Sequence, residues 1–259
     1  MKGGEAIFQK ERLREIRELV ARQGRATVEE LSARFGLSAV TIRKDLAELE
    51  KAGDLVRTHG GAIAAEATAR GSTFASRLAE RQPEKQRISR AAASMVSDGE
   101  VVFLDASTTV YGMCTHLAER HALTVVTLGL NMAYWLAANS DATIILIGGT
   151  LRRSSYGMLS ALREDELRSW NIGKAFVGLW GLSIGEGLTD TPKELVAQKR
   201  VICRHAREVI ALADSSKWGK VSLESFCGMK DVKKVITDAK ASRAMTEDLR
   251  AMGVEVIRT

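Results

Sequence analysis

Two sets of side chains in this chain of 259 residues have types and spacings that suit an anionic partner. The first is Ser38, Thr41, Arg43 and Lys44, near the N-terminus. Arg43 and Lys44 can reach guanine edges or phosphates, and the Ser38 and Thr41 hydroxyls can donate to phosphates. Arg57 and His59 follow, with reach to a nucleic-acid backbone or minor groove. The second set lies in four short segments, each directly after a β-rich run: Asp105-Ala106-Ser107-Thr108-Thr109, Thr127-Leu128-Gly129-Leu130-Asn131, Gly148-Gly149-Thr150-Leu151-Arg152 and Asp214-Ser215-Ser216-Lys217. Hydroxyls and free amides at a helix start suit a phosphate or another anion, and glycines let backbone approach it. Each segment also has a plain structural reading, as a helix cap, a turn or an Asp214–Lys217 ion pair. Together, at one sheet edge, they favour an anionic-ligand site.

The elements that must hold these groups can be read from periodicity. Leu13, Ile16, Leu19 and Val20 recur at helical spacing and predict a helix over Glu11–Gln23, ended by Gly24. Thr27 and Glu30 have capping-box spacing, which starts a second helix near Val28 and carries Leu31 and Phe35 inward. Gly36 supplies a sharp turn, and Ser38 caps a third helix from Ala39 to about Ala52 whose inward stripe is Ile42, Leu46 and Leu49. Ser38, Thr41, Arg43, Lys44 and Glu48 lie off that stripe. Leu55–Thr58 and Ala62–Ile63, flanking His59-Gly60-Gly61, predict a short hairpin. The second helix, Gly turn and third helix have the form of a helix-turn-helix at 27–46, whose last helix enters a major groove. Residues 1–60 hold 12 Lys and Arg against 10 Asp and Glu, so charge alone does not separate this reading from a small bundle with a solvated face.

Residues 64–83 are rich in Ala, Arg and Ser and read as a linker. Beyond them, strands at 101–105, 123–127, 143–147, 174–178, 209–214, 234–238 and 254–257 alternate with helices at 84–97, 108–120, 130–139, 191–206 and 245–252. That order predicts an α/β domain with a mostly parallel sheet and helices on both faces. The expected organisation is thus a winged helix-turn-helix at 8–63, a linker at 64–83 and an α/β domain at 84–259.

Composition sets the bounds. Apolar residues at 45 % and charged residues at 27 % are ordinary globular proportions, and a net charge of +6 fits a polyanion partner without requiring one. Cys114, Cys203 and Cys227 form no CxxC pair and read as buried, reduced thiols of a cytoplasmic protein. No apolar run approaches the roughly 20 residues that span a bilayer, so no membrane partner is expected. The four histidines, His59, His116, His121 and His205, have neither triad nor metal spacing, and Trp135, Trp170, Trp180 and Trp218 read as packing. No metal, cofactor or catalytic set is expected. Asp105, Glu186 and Asp190 are carboxylates, but no acid, base and oxyanion site assemble around them.

The stretch ERLREIRELVARQGRATVEELSARFGLSAVTIRKDLAELEKAGDLVRTHGGAI resembles the N-terminal domain of the DeoR family of bacterial regulators, with FGLSAVTIRKDLAELE and LVRTHGGA carrying its signature. EKQRISRAAASMVSDGEVVFLDASTT, LTVVTLGLNMA, IILIGGTLR, KAFVGLWGLSIGEGLTD and VIALADSSKWG are similar to blocks of the family's sensor domain. The resemblance implies that Thr41, Arg43 and Lys44 sit in a recognition helix and that Arg57 to Gly61 form a wing. It implies a sensor with the fold of ribose-phosphate isomerases and CoA transferases, taking a phosphorylated sugar or related metabolite through Asp105, Ser107, Thr108, Thr109, Arg152, Lys199 and Lys217. Three positions depart from the family pattern: Lys44 stands where Arg is usual, Leu128 where Asn is common, and Leu195-Val196 where Glu-Ala is frequent, with Glu194 shifted by one.

The resulting expectation is a homo-oligomeric repressor, dimer or tetramer. It binds double-stranded operator DNA at a sugar or carbohydrate operon and is released by a phosphorylated metabolite. The alternatives are a sugar-phosphate enzyme with an appended DNA-binding domain and a ligand-independent oligomeric DNA-binding protein.

Overall fold

In a computed structural model the chain divides into two compact units, Met1–Thr73 and Phe74–Thr259. The structure describes residues 3–23, 25–51, 54–58, 60–63, 73–160, 162, 164, 167 and 169–259. His59 and residues 64–72 of the expected linker lie outside them.

The first unit runs α1 (Gly3–Gln23), β1 (Arg25–Thr27), α2 (Val28–Phe35), α3 (Ala39–Lys51), β2 (Val56–Thr58) and β3 (Gly61–Ile63). The capping box read from Thr27 and Glu30 forms: the Thr27 hydroxyl accepts from the Glu30 amide and the Glu30 carboxylate accepts from the Thr27 amide. Gly36 ends α2 in the left-handed region at φ 64°, which a Cβ would disfavour. Ile16, Leu31, Ile42 and Leu46 are buried together, so the helical stripes of α1, α2 and α3 face one core. The wing is larger than the expected hairpin. Its strand order is β1-β3-β2, all antiparallel, because Arg25–Thr27 adds a strand to the outer side of β3. Helix α1 also begins at Gly3 rather than Glu11.

A buried ion pair joins α1 to α3. Asp45 is 2 % exposed and accepts from Arg12 twice, Nε to Oδ2 at 2.7 Å and Nη2 to Oδ1 at 3.1 Å. The carboxylate is turned inward and neutralised instead of adding a negative charge to the outer face of α3. The hydrogen bonds that Arg12 donates to Asp45 raise the Arg12 pKa against the opposing effect of burial.

The second unit runs α4 (Phe74–Ala79), α5 (Gln82–Ala93), β4 (Val101–Leu104), α6 (Thr108–Tyr111), α7 (Cys114–Leu117), β5 (Thr124–Thr127), α8 (Leu130–Asn139), β6 (Thr143–Leu146), β7 (Thr150–Arg152), β8 (Gly157–Leu159), β9 (Lys174–Val177), β10 (Gly181–Ser183), β11 (Gly187–Asp190), α9 (Lys193–His205), β12 (Glu208–Leu212), β13 (Glu224–Cys227), β14 (Lys234–Thr237), α10 (Arg243–Ala251) and β15 (Glu255–Arg258). All seven predicted strands enter one parallel sheet of order β15-β14-β12-β9-β4-β5-β6. Alternate residues along it feed two cores. Val102, Leu104, Val125, Phe176 and Ile210 face one, and Phe103, Val126, Ala175, Val177 and Val209 the other. Burial on both faces is why these strands read as continuous apolar runs.

The chain starts this sheet at β4, builds outward through β5 and β6, then returns to build the other side from β9. The reversal lies between β4 and β9, and such a switch point opens a crevice at the strands' C-terminal ends.

Three expectations are corrected. The domain boundary at 84 moves back to Phe74, because α4 buries Phe74 against Tyr111 and Tyr156, at ring separations of 5.3 and 5.9 Å. The helix expected at 108–120 breaks into α6 and α7 at Gly112, where a Cβ would lie 2.7 Å from the Ser89 hydroxyl on α5. The small antiparallel sheet β10-β11-β13 and the pair β7-β8 were not foreseen, since their strands are short and lack a two-residue alternation. Among the described residues no helix is long and apolar enough to cross a membrane.

Asp45→Ala leaves Arg12 without its partner in a partly buried position. It is expected to destabilise the N-terminal unit by about 2–3 kcal/mol, below the usual cost of breaking a fully buried pair because Arg12 keeps some solvent. Denaturant unfolding followed by circular dichroism measures this. Glu48→Ala, which removes only an exposed side chain's hydrogen bond with Gln9, should stay within about 0.5 kcal/mol.

Candidate functional site

Helix α3 presents its polar groups in two ways. Ser38 caps it: the Ser38 Oγ accepts from the Thr41 amide at 3.2 Å and shares a hydrogen bond with the Thr41 hydroxyl at 3.0 Å. These two hydroxyls therefore serve each other and the helix start. Arg43 and Lys44 are exposed and make no hydrogen bond or ion pair with any described residue. The helix's acidic groups are held: Asp45 by Arg12, Glu48 by Gln9, and Glu50 by Arg57, whose amide donates to it at 2.9 Å and whose guanidinium lies 3.8 Å away. The face left to a partner is cationic although the unit's net charge is small. Lys44, where the resemblance led to Arg, keeps the charge without a bidentate fork.

In the second unit the residues singled out from sequence gather at the C-terminal edge of the sheet. Asp105 directly follows β4. It is 1 % exposed, and its Oδ2 accepts from the Gly178 amide, which directly follows β9, at 2.9 Å. Lys199, from α9, is 2 % exposed, and its Nζ lies 2.9 Å from Asp105 Oδ2 and 2.5 Å from Asp190 Oδ2. It also donates to the Gly178 carbonyl at 2.9 Å. Burial pulls the Lys199 pKa down, but the charges of Asp105 and Asp190 and their hydrogen bonds overcome it, so the ammonium titrates well above its ordinary range. Burial pushes the Asp190 carboxyl up while Lys199 pulls it back. Every ammonium hydrogen of Lys199 has a protein acceptor, so Lys199 organises the floor of the crevice. Gly178 must be glycine here: a Cβ would sit 2.2 Å from the Ser107 hydroxyl. Ser107 in turn caps α6 by accepting from the Val110 amide at 3.3 Å, with Thr108 and Thr109 buried behind it.

Around this floor stand cations from α4, α5, β7 and the segment after β12. Lys217 lies with its Nζ 4.3 Å from the centre of the Trp180 ring. Lys85, on α5, donates to the Arg77 carbonyl, and Arg77, on α4, donates to the Ser154 carbonyl at 3.1 Å. Arg152 ends β7 and is close enough to Arg77 to depress its pKa, after burial, which is the larger cause. Burial likewise pulls Lys85 and Lys217 down; Asp214 opposes this in both, while Lys217 adds to the lowering at Lys85 and Lys220 adds to it at Lys217. Arg81 reaches Asp214 at 3.5 Å and the Ser215 hydroxyl at 3.3 Å. Asn131, Trp218 beside Lys217, and Thr191 beside Asp190 carry buried polar atoms without a partner among the described residues.

Sequence reading missed Arg77, Arg81 and Lys85. Arg77 and Arg81 fell in the stretch read as linker, where no hydrophobic period marked α4; Lys85 sat just past it in an Arg- and Lys-rich helix and looked like solvent-facing charge. Two departures from the family pattern now have positions. Leu128 is fully buried in the core, and Glu194 is exposed on the first turn of α9. Glu186, weighed as a carboxylate, sits in an exposed turn bonded to Ser183 and is not part of the crevice. Among the described residues no group of three or more His, Cys, Asp or Glu could hold a metal ion.

Residues 12–68 match the family described as "DeoR-like helix-turn-helix domain", and residues 80–239 match "DeoR C terminal sensor domain". The chain is 34% identical over 253 residues to the "HTH-type transcriptional repressor GlcR" of Bacillus subtilis (strain 168), covering 98% of this chain and 97% of that protein. It is 33% identical over 224 residues to the "Glycerol-3-phosphate regulon repressor" of Escherichia coli (strain K12), covering 86% and 88%. Among solved structures, ribose 5-phosphate isomerase A from Methanocaldococcus jannaschii covers 52% of this chain and 53% of its own at 18% identity and a TM-score of 0.38, a likeness too loose to carry weight.

Lys199→Met removes the one cation between two buried carboxylates. It is expected to cost about 3–5 kcal/mol, the range for an orphaned buried charge. In thermal unfolding the loss should shrink as pH falls, because protonating either carboxylate relieves the repulsion. A loss that does not change with pH would mean packing, not charge, sets the cost.

Proposed function

The chain belongs to the DeoR family of HTH-type transcriptional regulators, and on that premise we propose that it represses a sugar or carbohydrate operon and is released by a phosphorylated sugar or related metabolite. Its relatives are named as regulators and repressors rather than enzymes, and the N-terminal unit is a DNA-binding winged helix-turn-helix. The observation that carries the effector half is the ring of Arg77, Lys85, Arg152 and Lys217 around the buried Asp105–Lys199–Asp190 floor. Cations assembled at a desolvation cost need an anion, and a doubly charged phosphate meets that need with charge-assisted hydrogen bonds. The hydroxyls of Ser107, Thr108 and Thr109 and the orphaned polar atoms of Asn131 and Thr191 supply partners for a polyhydroxylated body.

In this reading Arg152 and Lys217 contact the anion, Asp105 and Lys199 shape the floor, and Ser107 to Thr109 line the wall. On the DNA side, Arg43 and Lys44 bind operator phosphates and bases, Ser38 and Thr41 fix the helix start, and Arg57 on β2, with His59 as the family resemblance implies, contacts the DNA backbone or minor groove. The protein acts as a homo-oligomer, dimer or tetramer, on two-fold related half-sites, and works in the cytoplasm where the operator is. Release requires the effector to favour the DNA-incompetent state.

The test is fluorescence anisotropy on duplex DNA from upstream of the protein's own operon, at fixed salt, with a panel of sugar phosphates. One sugar phosphate should release selective binding. Lys85→Met and Lys217→Met should raise the concentration needed about 10–100-fold, as expected for charge-assisted contacts, with operator affinity unchanged. Burial lowers both lysines' pKa values, so they give up their charge at a lower pH than a solvent-exposed lysine does; effector affinity should therefore fall as pH rises through the alkaline range. Selective DNA binding indifferent to every phosphate would overturn the effector half and leave the regulator.

A further inference from the structure

Val40 is the second residue of α3 and is 61 % exposed. Among the described residues of the N-terminal unit it is the large apolar side chain left in solvent, while Ile42, Leu46 and Leu49 of the same helix are buried. A single exposed valine is common on protein surfaces, but this one has a particular setting. It stands in the first turn of α3, where a recognition helix meets base edges. Arg43 and Lys44 lie three and four residues on, which puts them on the same helix face. The hydroxyls on either side, Ser38 and Thr41, are bonded to one another. Val40 thus offers the one apolar surface on a face otherwise made of cations and hydroxyls already in use.

From this placement we infer that Val40 is a specificity-determining residue that packs on a thymine C5-methyl group in the operator's major groove. The inference rests on the DNA-binding reading of this unit. Of the groups displayed on base edges in the major groove, the thymine methyl is the apolar one. Phosphates and the polar edges of guanine, adenine and cytosine give an isopropyl group nothing to bond, and burying it against them would leave their polar atoms dehydrated. Against the methyl, both partners lose unfavourable hydration. Arg43 and Lys44 take the phosphates or guanine edges and fix the register in which that contact is made.

The experiment uses the full chain and an operator duplex selected by the wild type from random sequences. Each thymine is replaced singly by deoxyuridine, which removes only the C5-methyl, and affinities are read by anisotropy at fixed salt for wild type and Val40→Ala. Exposure of Val40 makes the variant safe for the fold, which circular dichroism checks. At one thymine per half-site the wild type should lose about fourfold in affinity, the scale for one buried methyl, and V40A should lose nothing there while keeping the wild-type loss at any other sensitive thymine. Equal losses in both proteins at every thymine, or no loss in the wild type at any, would overturn the inference while leaving DNA binding intact. Failure of the wild type to select any sequence would remove the DNA-binding reading and the inference with it.

Discussion

The sensor unit depends on one buried charge arrangement: Lys199 held between Asp105 and Asp190. These residues come from three elements: Asp105 directly follows β4, Asp190 ends β11, and Lys199 lies in the middle of α9, nine residues beyond Asp190. Desolvating two carboxylates and an ammonium costs several kcal/mol per ion, and only close geometry offsets it. The geometry is over-determined. Gly178 gives its amide to Asp105 and its carbonyl to Lys199, which pins β9 beside β4 at the point where the sheet reverses its direction of growth. A cluster of this kind contributes little net stability but admits few alternative arrangements. It sets where α9 and the small antiparallel sheet sit, and so where the cations above it stand.

How legible this was depended on the range of the interaction. The central parallel strands were readable because burial on both faces leaves apolar runs such as VVFL and VIAL, a signal local to each strand. The cap on α2 was readable because Thr27 and Glu30 lie within one turn. Asp105, Arg152 and Lys217 were picked out because each follows a strand, and parallel sheets put ligands at that edge. The functions of Arg77 and Lys85 were not readable. Neither follows a strand, and what makes them part of the crevice is the burial of Phe74 and the tie from Lys85 to the Arg77 carbonyl, a packing fact with no local sequence mark. Asp45 was invisible for a related reason: its partner Arg12 is on another helix, so the acid looked like one more exposed charge.

The two units use the same electrostatic device in different surroundings. On α3 the acidic side chains are paired off, Asp45 inward and Glu48 and Glu50 sideways, which leaves Arg43 and Lys44 to an external anion. In the crevice the acids are again committed, Asp105 and Asp190 to Lys199 and Asp214 to the Ser216 amide and Arg81. What differs is the dielectric. Arg43 and Lys44 are in water, where salt screens them and affinity comes from counterion release. Lys85 and Lys217 are largely out of water, where burial lowers their pKa values and an arriving dianion gains more from each contact.

That difference bears on what kind of signal each unit can take. A solvated cationic face binds any polyanion of suitable spacing, so its selectivity must come from groups without charge that touch base edges. A desolvated cationic crevice rejects singly charged or poorly placed anions, because each lysine it leaves unmatched stays penalised by burial. The same residue type therefore gives a tolerant surface in one unit and a demanding one in the other. On the proposed reading, specificity at the DNA end rests on short-range contacts such as an exposed valine, and specificity at the sensor end rests on the cost of desolvating charge.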